Sequence, residues 1–179
     1  MTDASASHRL FFTLQPDRHT LRALSQIQQR VRADAGRPVP PERLHATLLF
    51  MGNQSAATLQ RLQEIASLLE FPACRLVLDR LGHFPRAGVA WLGPSHVPVE
   101  LEAFQASLSV AVADAGVGFD ERPWRMHVTL YRDLRKRPGK IRFEPVEWPL
   151  RGFQLMESIQ HGSGLEYRWR GRWPAASAA

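Results

Sequence analysis

Apolar residues follow two alternating spacings along this chain. A spacing of three to four residues, typical of an amphipathic helix, predicts helices from Pro16 to about Ala33, from Ser55 to Leu69 and from Pro98 to Ala115. Short apolar runs between them, bounded by Gly, Pro and Asn, are typical of strands. We predict strands over residues 9–14, 43–50, 75–84, 88–92 and 124–132, one or two within 141–160, and a last one over 165–173.

The order of these elements predicts an α+β fold, because helices and strands alternate without a long linker or a low-complexity block. A chain of 179 residues, of which 44% are hydrophobic, can build one core. We therefore expect a single bilobal domain over residues 1–174 and a disordered tail over 175–179. The proline-rich segment 36–41 predicts a stiff loop.

Charge favours a polyanionic partner such as RNA. The formal net charge is +6 and the sequence pI is about 10.6, which attracts and steers anions. Solubility alone is the competing explanation of this charge. Much of the excess is concentrated just after residue 131, in Arg132, Arg135, Lys136, Arg137, Lys140 and Arg142.

The single cysteine, Cys74, excludes an intramolecular disulfide framework and a Cys-rich zinc site. No apolar run reaches the roughly 18 residues of a membrane span, and residues 1–9 lack the order of a signal peptide. We expect a cytoplasmic monomer with no cofactor, no metal and no membrane contact.

One tetrapeptide pattern, H-x-T-L, occurs twice, beginning at His45 and at His127. Side chains alternate between the two faces of a strand, so His45 shares a face with Thr47, and His127 shares one with Thr129. The two copies lie 82 residues apart (127 minus 45), about half of the chain. This spacing suggests an ancient duplication that produced two pseudo-symmetric lobes with a site in the cleft between them.

Two imidazoles and two hydroxyls that converge on one cleft suit the hydrolysis of a phosphodiester. One histidine can take a proton from water while the other gives a proton to the leaving oxygen, since histidine titrates near neutral pH. Threonine hydroxyls can donate to the non-bridging phosphate oxygens as charge develops. This chemistry requires no metal ion.

A single His-x-Thr on a strand would be read as a half-buried polar pair, but two copies in matching strands favour a shared site. Zinc is disfavoured because no Cys ligand or H-E-x-x-H helix accompanies the motifs. Arg132 is a candidate phosphate ligand, although strict alternation points it away from Thr129 unless a strand end or a bulge intervenes. Candidates to stack a nucleobase are Phe11, Phe12, Phe50, Trp91, Trp124 and Tyr131.

The chain resembles the bacterial RNA 2′,3′-cyclic phosphodiesterases, formerly named 2′–5′ RNA ligases, of the two-histidine phosphoesterase superfamily. The segments that carry the resemblance span nearly the whole length. They are residues 9–12, Arg-Leu-Phe-Phe; residues 44–52, which resemble the family's H-x-T-L-x-F-x-G; residues 89–93, Val-Ala-Trp-Leu-Gly; and residues 127–132, His-Val-Thr-Leu-Tyr-Arg.

This resemblance implies a pseudo-symmetric fold with two antiparallel sheets facing a central cleft and helices outside. It implies hydrolysis of a 2′,3′-cyclic phosphate at an RNA 3′ end, leaving a 2′-phosphate. His45 would be the proton donor and His127 the proton acceptor, whereas the residues alone do not decide which histidine is the acid. Thr47, Thr129 and Arg132 would bind the phosphate.

Two other functions remain open at the level of sequence. The reverse reaction could make the protein a 2′–5′ RNA ligase that acts on tRNA halves, although the chain has no P-loop pattern for ATP-driven ligation. A non-catalytic RNA- or nucleotide-binding module is the other alternative. Intact His and Thr in both motifs argue against it.

Overall fold

The structure, a computed structural model, describes residues 7–31, 36–162 and 164–175. It contains the three predicted helices, and none in the described ranges is long and apolar enough to cross a membrane. The predicted helix end at Ala33 lies outside the described residues, as does all of the predicted tail except Ala175. The helices are α1 (Arg18–Arg30), α2 (Ala56–Ser67) and α3 (Val99–Asp114).

Local capping explains where the first two helices begin. The Asp17 side chain accepts a hydrogen bond from the backbone N–H of Thr20 at 2.8 Å, and Ser55 accepts one from Thr58 at 3.1 Å. These bonds satisfy N–H groups that lack a partner within the helix. Helix α3 follows Pro98, and the chain leaves it through Gly116, whose φ of +72° favours glycine.

The described residues form ten strands, all paired antiparallel. Most of them join one sheet in the order β10-β9-β1-β3-β7-β6-β5, with β2 beside β7, while β4 and β8 form a second sheet. The strands are β1 (His8–Leu14), β2 (Arg37–Pro38), β3 (Ala46–Gln54), β4 (Cys74–Leu78), β5 (Arg80–Phe84), β6 (Val89–Gly93), β7 (Val128–Arg132), β8 (Val146–Leu150), β9 (Gly152–His161) and β10 (Gly164–Pro174).

The large sheet consists of two lobes joined by one residue pair. We call β10, β9, β1 and β3 the first lobe, and β7, β6, β5 and β2 the second lobe. The junction is the pairing of Ala46 in β3 with Val128 in β7. The two H-x-T-L motifs therefore meet where the lobes meet.

Helices cover one face of each lobe. On the first lobe, Phe104 of α3 packs edge-on against Phe153 of β9, and their ring centroids are 4.8 Å apart. On the second lobe, the Gln28 side chain of α1 donates a 2.7 Å hydrogen bond to the Leu130 carbonyl of β7. Ala46 and Val128 are fully buried, so the motif residues that flank them point to the opposite face.

The predicted single strand over residues 75–84 is wrong, because the chain changes sheets at Asp79. The backbone N–H of Asp79 donates to the Gly93 carbonyl at 3.1 Å, and its carboxylate accepts from the backbone and hydroxyl of Ser95. β4 then pairs with β8, whereas β5 pairs with β6.

The predicted loop over residues 36–41 contains a short strand. Arg37 and Pro38 form β2 and pair with the end of β7. A 3₁₀ turn, Pro41–Arg43, follows. The first motif strand therefore begins at Ala46, later than predicted, and the second also begins later than predicted, at Val128.

Candidate active site

The two motifs face each other across the junction of the lobes. With Ala46 opposite Val128 in an antiparallel pair, the register sets His45 across from Thr129 and Thr47 across from His127. All four side chains are half-buried. The structure thus brings the four predicted motif residues together.

Each histidine is oriented by the backbone just before it. The Nδ1 atom of His45 lies 2.7 Å from the carbonyl oxygen of Arg43, and Nδ1 of His127 lies 2.7 Å from that of Arg125. A carbonyl oxygen accepts only, so Nδ1 carries the hydrogen in both rings. Each Nε2 is left to exchange a proton with a ligand.

Aromatic side chains enclose both rings. The His45 ring lies 5.3 Å from Phe11 and 5.4 Å from Tyr167, between ring centroids. The His127 ring lies 5.2 Å from Phe84 and 6.2 Å from Trp91. Sequence reasoning named Phe11 and Trp91 but missed Tyr167 and Phe84, because only tertiary pairing brings β10 and β5 to the site.

A glycine allows Trp91 to lie flat on β5. Gly82 is paired with Trp91, and a Cβ atom at Gly82 would lie 2.0 Å from the indole ring. Glycine at this position in a strand is therefore a signal of close side-chain approach. It supports the aromatic wall beside His127.

The other aromatic candidates have structural contacts. Phe12 packs in the core near Phe153, and Phe50 lies under the Arg9 guanidinium, which is 4.8 Å from its ring centroid. The Trp124 indole N–H donates to the Thr47 carbonyl at 2.9 Å, and thereby ties the segment before β7 to the first motif strand.

A β-bulge turns Arg132 toward the motif residues. Thr129 pairs with Trp91 and Tyr131 pairs with Ala90, so β7 uses one more residue than β6 over this step. Beyond the bulge the alternation is reversed. The Tyr131 hydroxyl donates to a carbonyl of α1 at 2.9 Å, and Arg132 lines a cavity with His45 and Thr129.

This cavity has a volume of about 330 Å³ and lies between the lobes. Its described lining is basic and polar, with no carboxylate. The lining residues are Arg37, Pro38, Val39, Pro40, Arg43, His45, Thr129, Arg132, Gln160, Gly164, Leu165 and Tyr167. Among the residues that the structure describes, no three His, Cys, Asp or Glu side chains are grouped to hold a metal ion.

The environment of the histidines favours their neutral forms. The pKa of His45 is lowered from 6.5 to about 4. Burial is the largest cause, the positive charges of Arg132 and His127 add to it, and the hydrogen bond to the Arg43 carbonyl opposes it. Burial, and then Arg132, also lower the pKa of His127. Without an anion beside them, both rings are therefore mainly neutral at pH 7.

Sulfate, whose charge is constant between pH 4 and 7, is expected to bind more tightly as the pH falls. A bound anion favours protonated His45 and raises its pKa above about 4. Binding then takes up a proton, and the affinity rises by up to about tenfold per pH unit in the window between the free and bound pKa values. Calorimetric titration at several pH values measures this effect.

His45→Gln is the matched variant and should flatten much of this pH dependence. A sulfate affinity that stays constant in the wild type from pH 7 to 4.5 would contradict this pKa of His45.

Without a bound anion, the lowered pKa of His45 makes the stability of the fold depend on pH. Unfolded His45 takes up a proton below about pH 6.5, whereas the folded protein does so only near 4. Stability is therefore lost as the pH falls through this window.

The comparisons with known proteins agree with this geometry. Residues 14–91 match the family model described as LigT like Phosphoesterase. An RNA 2′,3′-cyclic phosphodiesterase of Thermus thermophilus is 34% identical over 175 residues, covering 89% of this chain and 86% of that protein. The chain belongs to the LigT-like phosphoesterase family. A phosphodiesterase of the same name from Escherichia coli is 37% identical over 100 residues, covering 56% of this chain and 57% of that protein.

Solved structures of LigT resemble this chain over nearly its whole length. Escherichia coli LigT complexed with 3′-AMP superposes with a TM-score of 0.85 at 27% identity, covering 96% of this chain and 100% of that chain. The apo form of the same protein gives 0.85 at 28% identity, with 97% and 100% covered. The predicted α+β two-histidine phosphoesterase fold is confirmed.

Proposed function

We propose that this LigT-like phosphoesterase hydrolyses RNA 2′,3′-cyclic phosphodiester ends to 2′-phosphomonoesters without a metal ion. The observation that carries the proposal is that two histidines, each fixed through Nδ1 to a backbone carbonyl, flank one antiparallel junction of two strands. The relatives named RNA 2′,3′-cyclic phosphodiesterase support the substrate class.

In the proposed reaction, His127 and His45 act on opposite sides of the phosphorus. Nε2 of His127 accepts a proton from water as the water oxygen forms a bond to phosphorus. The bond from phosphorus to the 3′ oxygen breaks, and that oxygen takes a proton from Nε2 of His45. The product retains its phosphate on the 2′ oxygen, and the proton gained by one histidine balances the proton lost by the other.

Three further side chains stabilise the phosphate in this proposal. Thr47 and Thr129 donate from their hydroxyls to the non-bridging oxygens, where negative charge develops. Arg132, which reaches the cavity through the bulge in β7, neutralises the phosphate with paired N–H donors.

Because the pKa of His45 is low, the substrate itself must help to keep His45 protonated. Free His45 is largely neutral at pH 7, because burial and the positive charge of Arg132 lower its pKa to about 4. The phosphate anion must therefore supply the attraction that holds the catalytic proton on His45. We expect a bell-shaped pH dependence of kcat, since one ring must be protonated and the other neutral, and its two limbs belong to the coupled pair.

An oligoribonucleotide that ends in a 2′,3′-cyclic phosphate, incubated with the wild type in EDTA, tests the proposal. We expect a gain of one water by mass and a product that co-migrates with a synthetic 2′-phosphate standard rather than with the 3′-phosphate. Loss of activity in EDTA that added metal restores would overturn the metal-free mechanism.

The same incubation distinguishes the alternatives. Joined RNA that accumulates faster than hydrolysed product, when 5′-hydroxyl RNA is also present, would favour a 2′–5′ RNA ligase acting on tRNA halves. Binding of the cyclic end without turnover would favour a non-catalytic RNA- or nucleotide-binding module. Free cyclic nucleotides and tRNA fragments serve as competing substrates.

We also propose that the protein acts as a monomer in the cytoplasm. Both H-x-T-L motifs belong to one chain and meet at the junction of Ala46 with Val128, so the four motif residues come together without a second copy. Light scattering of the purified protein measures the mass in solution. A dimer whose dissociation abolishes activity would contradict this proposal.

A further inference from the structure

The cavity beside His45 carries more positive charge than one phosphodiester requires. Three arginines, Arg37, Arg43 and Arg132, line it, and no Asp or Glu does among its described lining residues. A 2′,3′-cyclic phosphodiester carries a single negative charge. The surplus charge indicates that this cavity takes a second anionic group.

The three arginines are not equivalent. Arg37 forms an ion pair with Asp133, so a neighbouring carboxylate offsets its charge. Arg132 is close enough to both histidines to lower their pKa values. We therefore assign it to the phosphate that reacts. Arg43 therefore remains for the second group.

Arg43 is half-buried and forms no ion pair within the described part of the chain. Its guanidinium makes one long hydrogen bond, at 3.4 Å, to the carbonyl of Leu165 across the cavity. A cation that is partly removed from water and lacks a counter-charge is unfavourable. An anion bound beside it would relieve this cost.

The backbone fixes Arg43 next to the reacting group. Its carbonyl accepts the hydrogen bond from Nδ1 of His45 at 2.7 Å, and its side chain lines the same cavity as His45. In an RNA end, the cyclic phosphate bridges the 2′ and 3′ oxygens of the last ribose. The next phosphate is attached to the 5′ oxygen of that same ribose, so two anionic groups flank one sugar.

We propose that Arg43 binds the phosphate on the 5′ side of the terminal nucleoside, so that the site selects RNA ends over nucleosides that carry only the cyclic phosphate. This inference rests on the proposed function. Gln160 and Tyr167, which line the cavity with Arg43, offer a polar and an aromatic surface to the sugar and base between the two phosphates.

The test compares three substrates with the same terminal adenosine: adenosine 2′,3′-cyclic phosphate, its 5′-phosphorylated form, and a dinucleotide ending in it. For the wild type we expect kcat/KM to be about tenfold or more higher for the two forms with a 5′ phosphate. Arg43→Gln should remove most of this preference. A preference for the dinucleotide alone would assign the site to an internucleotide linkage.

Arg75→Gln is the matched control, because Arg75 is exposed and pairs with Glu147 in the separate two-stranded sheet. It should retain the wild-type preference. Arg43→Gln should also make kcat/KM for the dinucleotide less sensitive to salt, because salt screens the attraction between the guanidinium and the phosphate. A change in fold would not produce that selective loss.

Two outcomes would count against the inference in different ways. If Arg43→Gln lowers kcat/KM equally for all three substrates, Arg43 acts on His45 or on the reacting phosphate, and the second anion site is refuted. If the wild type turns over none of the substrates, the proposed function itself fails. The two failures are therefore distinguishable.

Discussion

His45→Ala and His127→Ala are each expected to lower kcat for an RNA 2′,3′-cyclic phosphate by about 10²- to 10⁴-fold, the usual worth of a positioned acid or base. Each variant removes the Nε2 atom that exchanges a proton, while the strand pair at Ala46 and Val128 is unchanged. Single-turnover kinetics measure the chemical step directly. The control is His96→Ala, since His96 is exposed and its ring hydrogen bonds to the neighbouring Ser95 hydroxyl.

A substrate with a better leaving group separates the two roles. p-Nitrophenolate departs without needing a proton, so bis(p-nitrophenyl) phosphate should largely rescue the variant that lacks the acid and should not rescue the variant that lacks the base. With His45 as donor, His45→Ala is the rescued variant. The reverse result would assign the acid to His127. If each variant loses the same factor in kcat on both substrates, neither histidine donates a proton to the leaving group.

Arg132→Gln is expected to lower kcat by about 10²-fold and to weaken sulfate binding, because a preorganised cation that stabilises developing charge typically contributes this much. The pKa of His45 should rise in the same variant, since the charge of Arg132 helps to lower it. Steady-state kinetics and histidine NMR measure the two effects. A positive result would tie Arg132 to both the phosphate and the protonation of His45.

The control for Arg132 is Arg135→Gln, an equal change of charge in the exposed segment just beyond the bulge. If both variants lose the same small factor, the effect is general electrostatic attraction, and Arg132 has no specific role. If Arg132→Gln raises KM alone, the residue contributes equally to binding of the ground state and the transition state.

Local sequence was sufficient for features that depend on neighbouring residues. The helix starts predicted at Pro16 and Ser55 lie within two residues of those in the structure, because the Asp17 and Ser55 side chains accept from a backbone N–H three residues away. The shared face of His45 and Thr47 follows from the two-residue period of a strand. The fold class followed as well, because helical and strand periodicities alternate along the chain.

Tertiary pairing decided features that the alternation of side chains along a strand assigns wrongly by itself. Strict alternation turns Arg132 away from Thr129, and the extra residue in β7 against β6 turns it back. The apolar run over residues 75–84 reads as one strand, but Asp79 hydrogen bonds to Ser95 and the run divides between two sheets. Both outcomes depend on partners that are distant in sequence or belong to another strand.

The sequence by itself determined which groups the candidate site contains, because the repeated H-x-T-L motif specifies two His and two Thr side chains and which of them share a face. Only the tertiary structure decided how those groups behave. Phe84 and Tyr167 reach the rings through distant strands, and burial at the junction lowers the pKa of His45 to about 4. Desolvation depends on every atom packed around a group, and that packing exists only in the folded chain.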